Sequence, residues 1–218
     1  MTMKDRVKIY PDNIKGILAA TLFIKVTNCF QAIVLLSKKG LGIECAILTR
    51  ALLEVTFPLK AIVESENFVE EFILTENWKR FKLMNVILND KKSFSTIHSQ
   101  ISVEQKKELE EEIERNGYKD MSTEEIARRA NMQTFYQTAY RNLSEDVHTT
   151  VRSLEAYVVT DEQGNITMFE NGPQIFELKK HKTAIMCLLI AMDSLNDIFE
   201  LKLDNNIKQF EEFILNGS

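Results

Sequence analysis

With 218 residues, of which 44% are apolar and 27% charged, the chain can bury a core of its own without disulfide or metal staples. Seven glycines and three prolines are too few for a turn-dense all-β fold. A formal charge of −5 argues against a protein that coats duplex DNA, because phosphate neutralisation supplies most of the affinity in such binding.

Asp12 or Asn13 can cap a first helix. Its apolar residues, from Ile17 to Leu36, recur at helical spacing over roughly 25 residues until Gly40 stops it. A second helix is predicted over 41–64. It is apolar on nearly every side, as a central helix is, and Pro58 should kink it. A third covers 66–89, and 91–101 reads as a loop holding His98. Ser102-Val103-Glu104-Gln105 is a capping box. The charged helix it opens, over 106–115, is expected to project into solvent or to pack weakly, and to end at Gly117. The whole charged stretch 91–120 reads as an insertion or lid, and Ser122-Thr123-Glu124-Glu125 opens a short helix through Ala130.

The next prediction is one continuous helix over 134–158. Tyr157-Val158-Val159-Thr160 and Ile166-Thr167-Met168-Phe169 then flank a Gly-containing loop, which predicts a β-hairpin over 157–170. After a break at Gly172-Pro173, a last long helix covers 175–201, and Asn205 or Asn206 caps a terminal helix holding Ile207, Phe210, Phe213 and Ile214. With no internal repeat, the chain reads as a single domain over 1–218. It is predicted to be an all-α helical bundle of long helices with one small β-hairpin before the last long helix.

Met1 to Arg6 opens no signal-peptide pattern, and the longest uncharged apolar run, Thr183 to Met192, is too short to span a bilayer. The expectation is a cytoplasmic protein with no membrane partner. Cys29, Cys45 and Cys187 are odd in number and widely spaced, with no CxxC pair. They read as small buried hydrophobes, and neither a metal site nor a cofactor is expected.

The candidate chemistry lies in Tyr140-Arg141-Asn142-Leu143-Ser144-Glu145-Asp146-Val147-His148. At about 100° per helical residue, His148 falls about 20° from Arg141, Ser144 about 60° from it and Tyr140 about 100°. Arg141 and His148 then lie just outside a core edge formed by Tyr140 and Ser144, as on the wall of a cleft. An ordinary surface pair, Arg141 with Glu145, fits the same spacing. Arg50 and Glu54 stand one turn apart in the most apolar helix. Charges there need partners, and the guanidinium has donors to spare. They can pair only with each other, as a structural strut, or converge with Tyr140, Ser144 and His148 in one interior pocket, which is the expectation here. His181, in Lys179-Lys180-His181-Lys182, reads as a solvated helix start. HExxH, Walker A, GxGxxG and GxSxG patterns are absent.

Arg141-Asn142 followed by His148 resembles the Arg-x(4–6)-His motif of the HEPN superfamily, whose members are all-α and many of them metal-independent ribonucleases of toxin and phage-defence systems. Arg50-x-x-x-Glu54 with Tyr140-x-x-x-Ser144-x-x-x-His148 is similar to a bacterial helical family of unknown function. The resemblance implies attack of an RNA 2′-hydroxyl on the adjacent phosphate. It assigns Arg141, His148 and Ser144 catalytic roles, and gives Tyr140, Arg50, Glu54 and Asn142 orienting roles. RNA or a nucleotide would be the partner, the assembly a homodimer, and duplex DNA would not be read by sequence. The other reading is a non-catalytic helical module that binds a small ligand or a protein through the same polar pocket.

Overall fold

The computed structural model describes residues 10–117, 120–148, 151–170 and 178–216. It is an all-α bundle with one antiparallel hairpin. Helix α1 (Ile14–Lys38) is capped by Asn13, whose Oδ1 accepts from the Gly16 amide at 2.8 Å, and Gly40 follows it at φ +74°. Helix α2 (Gly42–Glu64) continues through Pro58 and buries thirteen of its residues, as its apolar periphery predicts. Around it pack α1, α10 (Leu178–Phe199), α6 (Thr123–Arg129) and α8 (Arg141–Val147). Phe57, Leu52, Leu53, Leu59 and Cys45 of α2 are wholly buried, together with Cys187 of α10, while Cys29 of α1 is half-buried.

Helix α3 (Phe68–Asn89) leads to α4 (Ser95–His98) and α5 (Val103–Asn116). The capping box of α5 is formed in both directions between Ser102 and Gln105, and Gly117 ends the helix at φ +65°. One expectation is corrected here: the 91–101 stretch contains the turn of helix α4 that carries His98. Of the two outcomes open to the charged helix, it packs: it lies on α3 and buries Ile113, with Leu109 half-buried. Arg129 of α6 ties α3 to α6 through Glu71 at 2.6 Å and Glu125 at 2.9 Å. Glu125 also receives Arg128, and these two guanidinium partners hold its carboxyl down at about 2.

The continuous helix expected over 134–158 is also corrected. Helix α7 (Gln133–Phe135) passes into a π turn at Tyr136–Tyr140, then α8, which ends at Val147. His148 is extended, at φ −90° and ψ 128°. A short helix α9 (Val151–Leu154) and a 3-10 turn at Glu155–Tyr157 follow. The sequence Val147-His148-Thr149-Thr150-Val151 is rich in β-branched residues, which lose rotamer freedom in a helix. Strands β1 (Val158–Thr160) and β2 (Ile166–Phe169) form the hairpin, with an irregularity between Val159 and Thr160. Asp161 Oδ1 accepts from the Gln163 and Asn165 amides inside the loop.

The break at Gly172-Pro173 and the start of the last long helix at 175 lie outside the described residues. Helix α11 (Asp204–Asn216) begins at Asp204, one residue before the cap expected at Asn205. Asn196 holds the approach, donating to Asp204 and accepting from the Leu203 amide. By length and composition α1 could cross a membrane, with mean hydropathy 1.7 in its most apolar window. A search for uncharged runs passes over it because lysines interrupt it.

Candidate functional site

Arg50 lies on the side of α2 that faces the π turn and α8. Its Nε donates to Ser144 Oγ at 3.0 Å, and one terminal nitrogen donates to the Tyr140 hydroxyl at 2.8 Å. That same nitrogen stands 3.3 Å from Glu54 Oε1. The Tyr140 hydroxyl donates in turn to Glu54 Oε1 at 2.8 Å, and Ser144 donates to the Tyr140 carbonyl at 2.8 Å. The guanidinium carbon also sits 4.7 Å from the centroid of the Tyr140 ring. Two pairs drawn from distant stretches of sequence thus close into one hub that ties α2 to α8.

The hub has a graded exposure. Tyr140 is buried, the Arg50 side chain retains 20% of its exposure, and Glu54 retains 39%. Charge strength therefore rises inward, and the carboxylate keeps a solvated edge. Tyr136 stacks on Tyr140 with ring centroids 5.1 Å apart, and Phe57 closes the apolar side at 6.1 Å. The π turn supplies the register. By widening one turn it lets the two tyrosines stack while Tyr140 still points at α2.

Burial, and then the bond to the Glu54 carboxylate, raise the Tyr140 phenol above its usual value, against smaller opposing effects of Thr123 and Arg50. A raised acid is stabilised in its neutral form. The contribution is complete below the usual phenol range and is lost as pH rises through the raised folded value. The stability advantage of the wild type over Tyr140→Phe is therefore expected to shrink between about pH 8 and about pH 11. Urea melts of both proteins at the two pH values measure it, and a gap that stays constant would contradict the assignment.

The structure brings together Arg50, Glu54, Tyr140 and Ser144, and leaves the other candidates outside. Arg141, Asn142 and His148 are exposed. The expected convergence of His148 into an interior pocket is thus corrected: it occupies the end of α8, where the extended backbone carries it past the last helical turn. Its carbonyl accepts from Ser153 Oγ at 3.2 Å. Ser144 is occupied as both donor and acceptor, which suits a positioning role better than that of a nucleophile. Among the described residues, no group of three or more His, Cys, Asp or Glu could hold a metal ion.

Among the polar links that escaped the sequence reading, two join α10 to its neighbours. Lys60 joins Glu64, one turn on, to Asp193 of α10. The spacing of Lys60 and Glu64 was the available signal. His181 is half-buried against α1, with Nε2 3.0 Å from Ser37 Oγ, which corrects its reading as a solvated helix start. A contact across 144 residues leaves no local signal.

Compared with known proteins, the chain matches DUF5677, described as a family of unknown function, over residues 16–166. The match takes in α1 through the start of β2 and so contains every residue of the hub. No curated protein and no solved structure matches the chain.

Proposed function

The chain belongs to the DUF5677 family, and for it we propose a HEPN-like, metal-independent RNA-cleaving or nucleotide-binding activity carried by exposed residues of α8 and of the position just past its end. The observation that supports this reading is a division of labour around α8. Tyr140, Leu143 and Ser144 face inward, and Arg50 holds two of them. Arg141, which opens α8, and His148, which follows its last turn, are both exposed. Groups that bind phosphate and move protons must reach solvent, while the groups that hold the helix in place need not.

On this reading His148 is the general acid or base for attack of a ribose 2′-hydroxyl on the neighbouring phosphate. Arg141 offsets charge that develops on the phosphate oxygens, and Asn142 supplies an amide beside it. Arg50, Glu54, Tyr140 and Ser144 act through the helix, as positioning residues. HEPN resemblance also implies a homodimer in which two such helices face one another across a two-fold axis.

The test is incubation of the purified chain with total RNA in EDTA. His148→Ala and Arg141→Ala are each expected to lower cleavage about 100-fold or more. As exposed substitutions they should move stability by no more than about 0.5 kcal/mol. Cleavage that survives His148→Ala, or a wild type that leaves RNA intact, overturns the enzymatic reading.

A non-catalytic module is the second reading. It is favoured by the closure of the hub, in which Arg50, Tyr140 and Ser144 spend their hydrogen bonds on one another. A wild type inert towards RNA but strongly dependent on Arg50 for its stability supports it.

A further inference from the structure

A second concavity lies between α1 and α10, away from the hub. It encloses about 200 Å³. Phe30 and Ile33 of α1 and Ala184 and Ile185 of α10 wall its body. Ser37, Lys38 and His181 also line it, and they cluster where the C-terminal turn of α1 meets the first turns of α10.

At about 200 Å³ this half-open hollow falls below the usual range of small-molecule pockets, so it suits only a compact ligand. An apolar cavity of about 150 Å³ holds a benzene, so this one has room for a slightly larger body. The chemistry of the lining is one-sided. Among the described residues, the lining is mostly apolar, and its polar groups are one lysine, one serine and one histidine, without a carboxylate. The Ser37 hydroxyl and His181 Nε2, 3.0 Å apart, fix each other's direction across the two helices. Lys38 is exposed at the rim, where its ammonium keeps its hydration until a partner arrives. An apolar chamber with a cation and a hydroxyl at one end matches a ligand with a greasy body and an anionic head.

We propose that this cavity binds a compact apolar carboxylate, a ring or branched chain slightly larger than benzene with one negative head group. The body lies on Phe30, Ile33, Ala184 and Ile185, and the carboxylate meets Lys38 and the Ser37 hydroxyl. The site is independent of the α8 surface and stands whether or not the chain cleaves RNA.

The experiment is titration calorimetry of the full chain with phenylacetate, run beside toluene, which has a similar body and no charge. Phenylacetate is expected to bind saturably with one site per chain and to raise the melting temperature in proportion to the logarithm of its concentration. Lys38→Gln, an exposed change, should weaken phenylacetate about fivefold, the upper range for one exposed charge pair, and leave toluene unaffected. Val34→Trp, placed at a half-open wall position so that the core is undisturbed, should block both ligands while the far-ultraviolet circular dichroism stays that of the wild type. No saturable phenylacetate binding at millimolar concentration overturns the proposal. So does toluene binding as tightly as phenylacetate, or a Lys38→Gln variant that binds phenylacetate like the wild type. Unimpaired binding by folded Val34→Trp places the ligand elsewhere and overturns it as well.

Discussion

Arg50→Met is expected to destabilise the protein by about 3 kcal/mol, the scale of losing two hydrogen bonds from a charged donor. For a chain of this length that lowers the melting temperature by about 6 to 12 °C. The substitution keeps most of the apolar stem, so the loss reports on the guanidinium. It removes the donors to Ser144 and Tyr140 together with the cation beside Glu54. Because Glu54 keeps 39% of its exposure, water can solvate the stranded carboxylate, and the cost stays below that of a fully buried orphan charge.

Arg50→Lys should recover less than half of the loss. One ammonium cannot reach Ser144 and Tyr140 in the fixed fork that Nε and a terminal nitrogen provide. Paired with Tyr140→Phe, the double variant should be less damaged than the sum of the singles by about 1 kcal/mol, since both remove the same bond. Chemical denaturation of the wild type, Arg50→Met, Arg50→Lys, Tyr140→Phe and the Arg50→Met/Tyr140→Phe double variant measures these quantities. An Arg50→Met protein within about 0.5 kcal/mol of the wild type would show that the hub contributes geometry without stability.

Phe57→Ala carries the other large expected effect, a loss of about 4 kcal/mol. Phe57 is wholly buried in α2, the helix that meets α1, α6, α8 and α10. Its ring also closes the apolar side of Tyr140. Removing it opens a cavity in the core around α2, whose close packing limits how far the neighbours can move in to fill it. The same variant should loosen the seat of Tyr140, which thermal melts and the near-ultraviolet circular dichroism of the tyrosines would both register. A loss below about 2 kcal/mol would mean that the neighbours refill the space.

The central place of α2 was legible in the chain because its cause is local: apolar residues on every side leave no solvent face, whatever the neighbours are. The same holds for the caps. Asn13, Ser102 and Ser122 bond to amides three residues ahead, and Gly40 and Gly117 adopt positive φ after their helices. The hairpin was legible from its two β-rich runs and the loop between them. These are short-range facts, decided within a few residues.

The hub was half legible. Two charges in a greasy helix demand partners, and Tyr140 and Ser144 were suitable ones at the right spacing. Which hydroxyl meets which nitrogen was not, because that depends on how α2 and α8 lie against each other. The π turn shows why. One widened turn rotates every residue after it, so angles counted at a constant step lose their register there.

His148 and His181 mark the limit from opposite sides. A regular helix would have kept His148 beside its neighbours on the wheel, but α8 ends at Val147 and His148 is extended. His181, flanked by lysines, has the composition of a solvated helix start. It is instead half-buried against Ser37, because α10 lies along α1. Sequence alone decided which segments are helical, where most of them stop and which one is central, since backbone hydrogen bonding and apolar periodicity are properties of neighbouring residues. Tertiary structure alone decided which polar side chains meet and which face water, since those outcomes follow from the packing of helices that are distant in the chain.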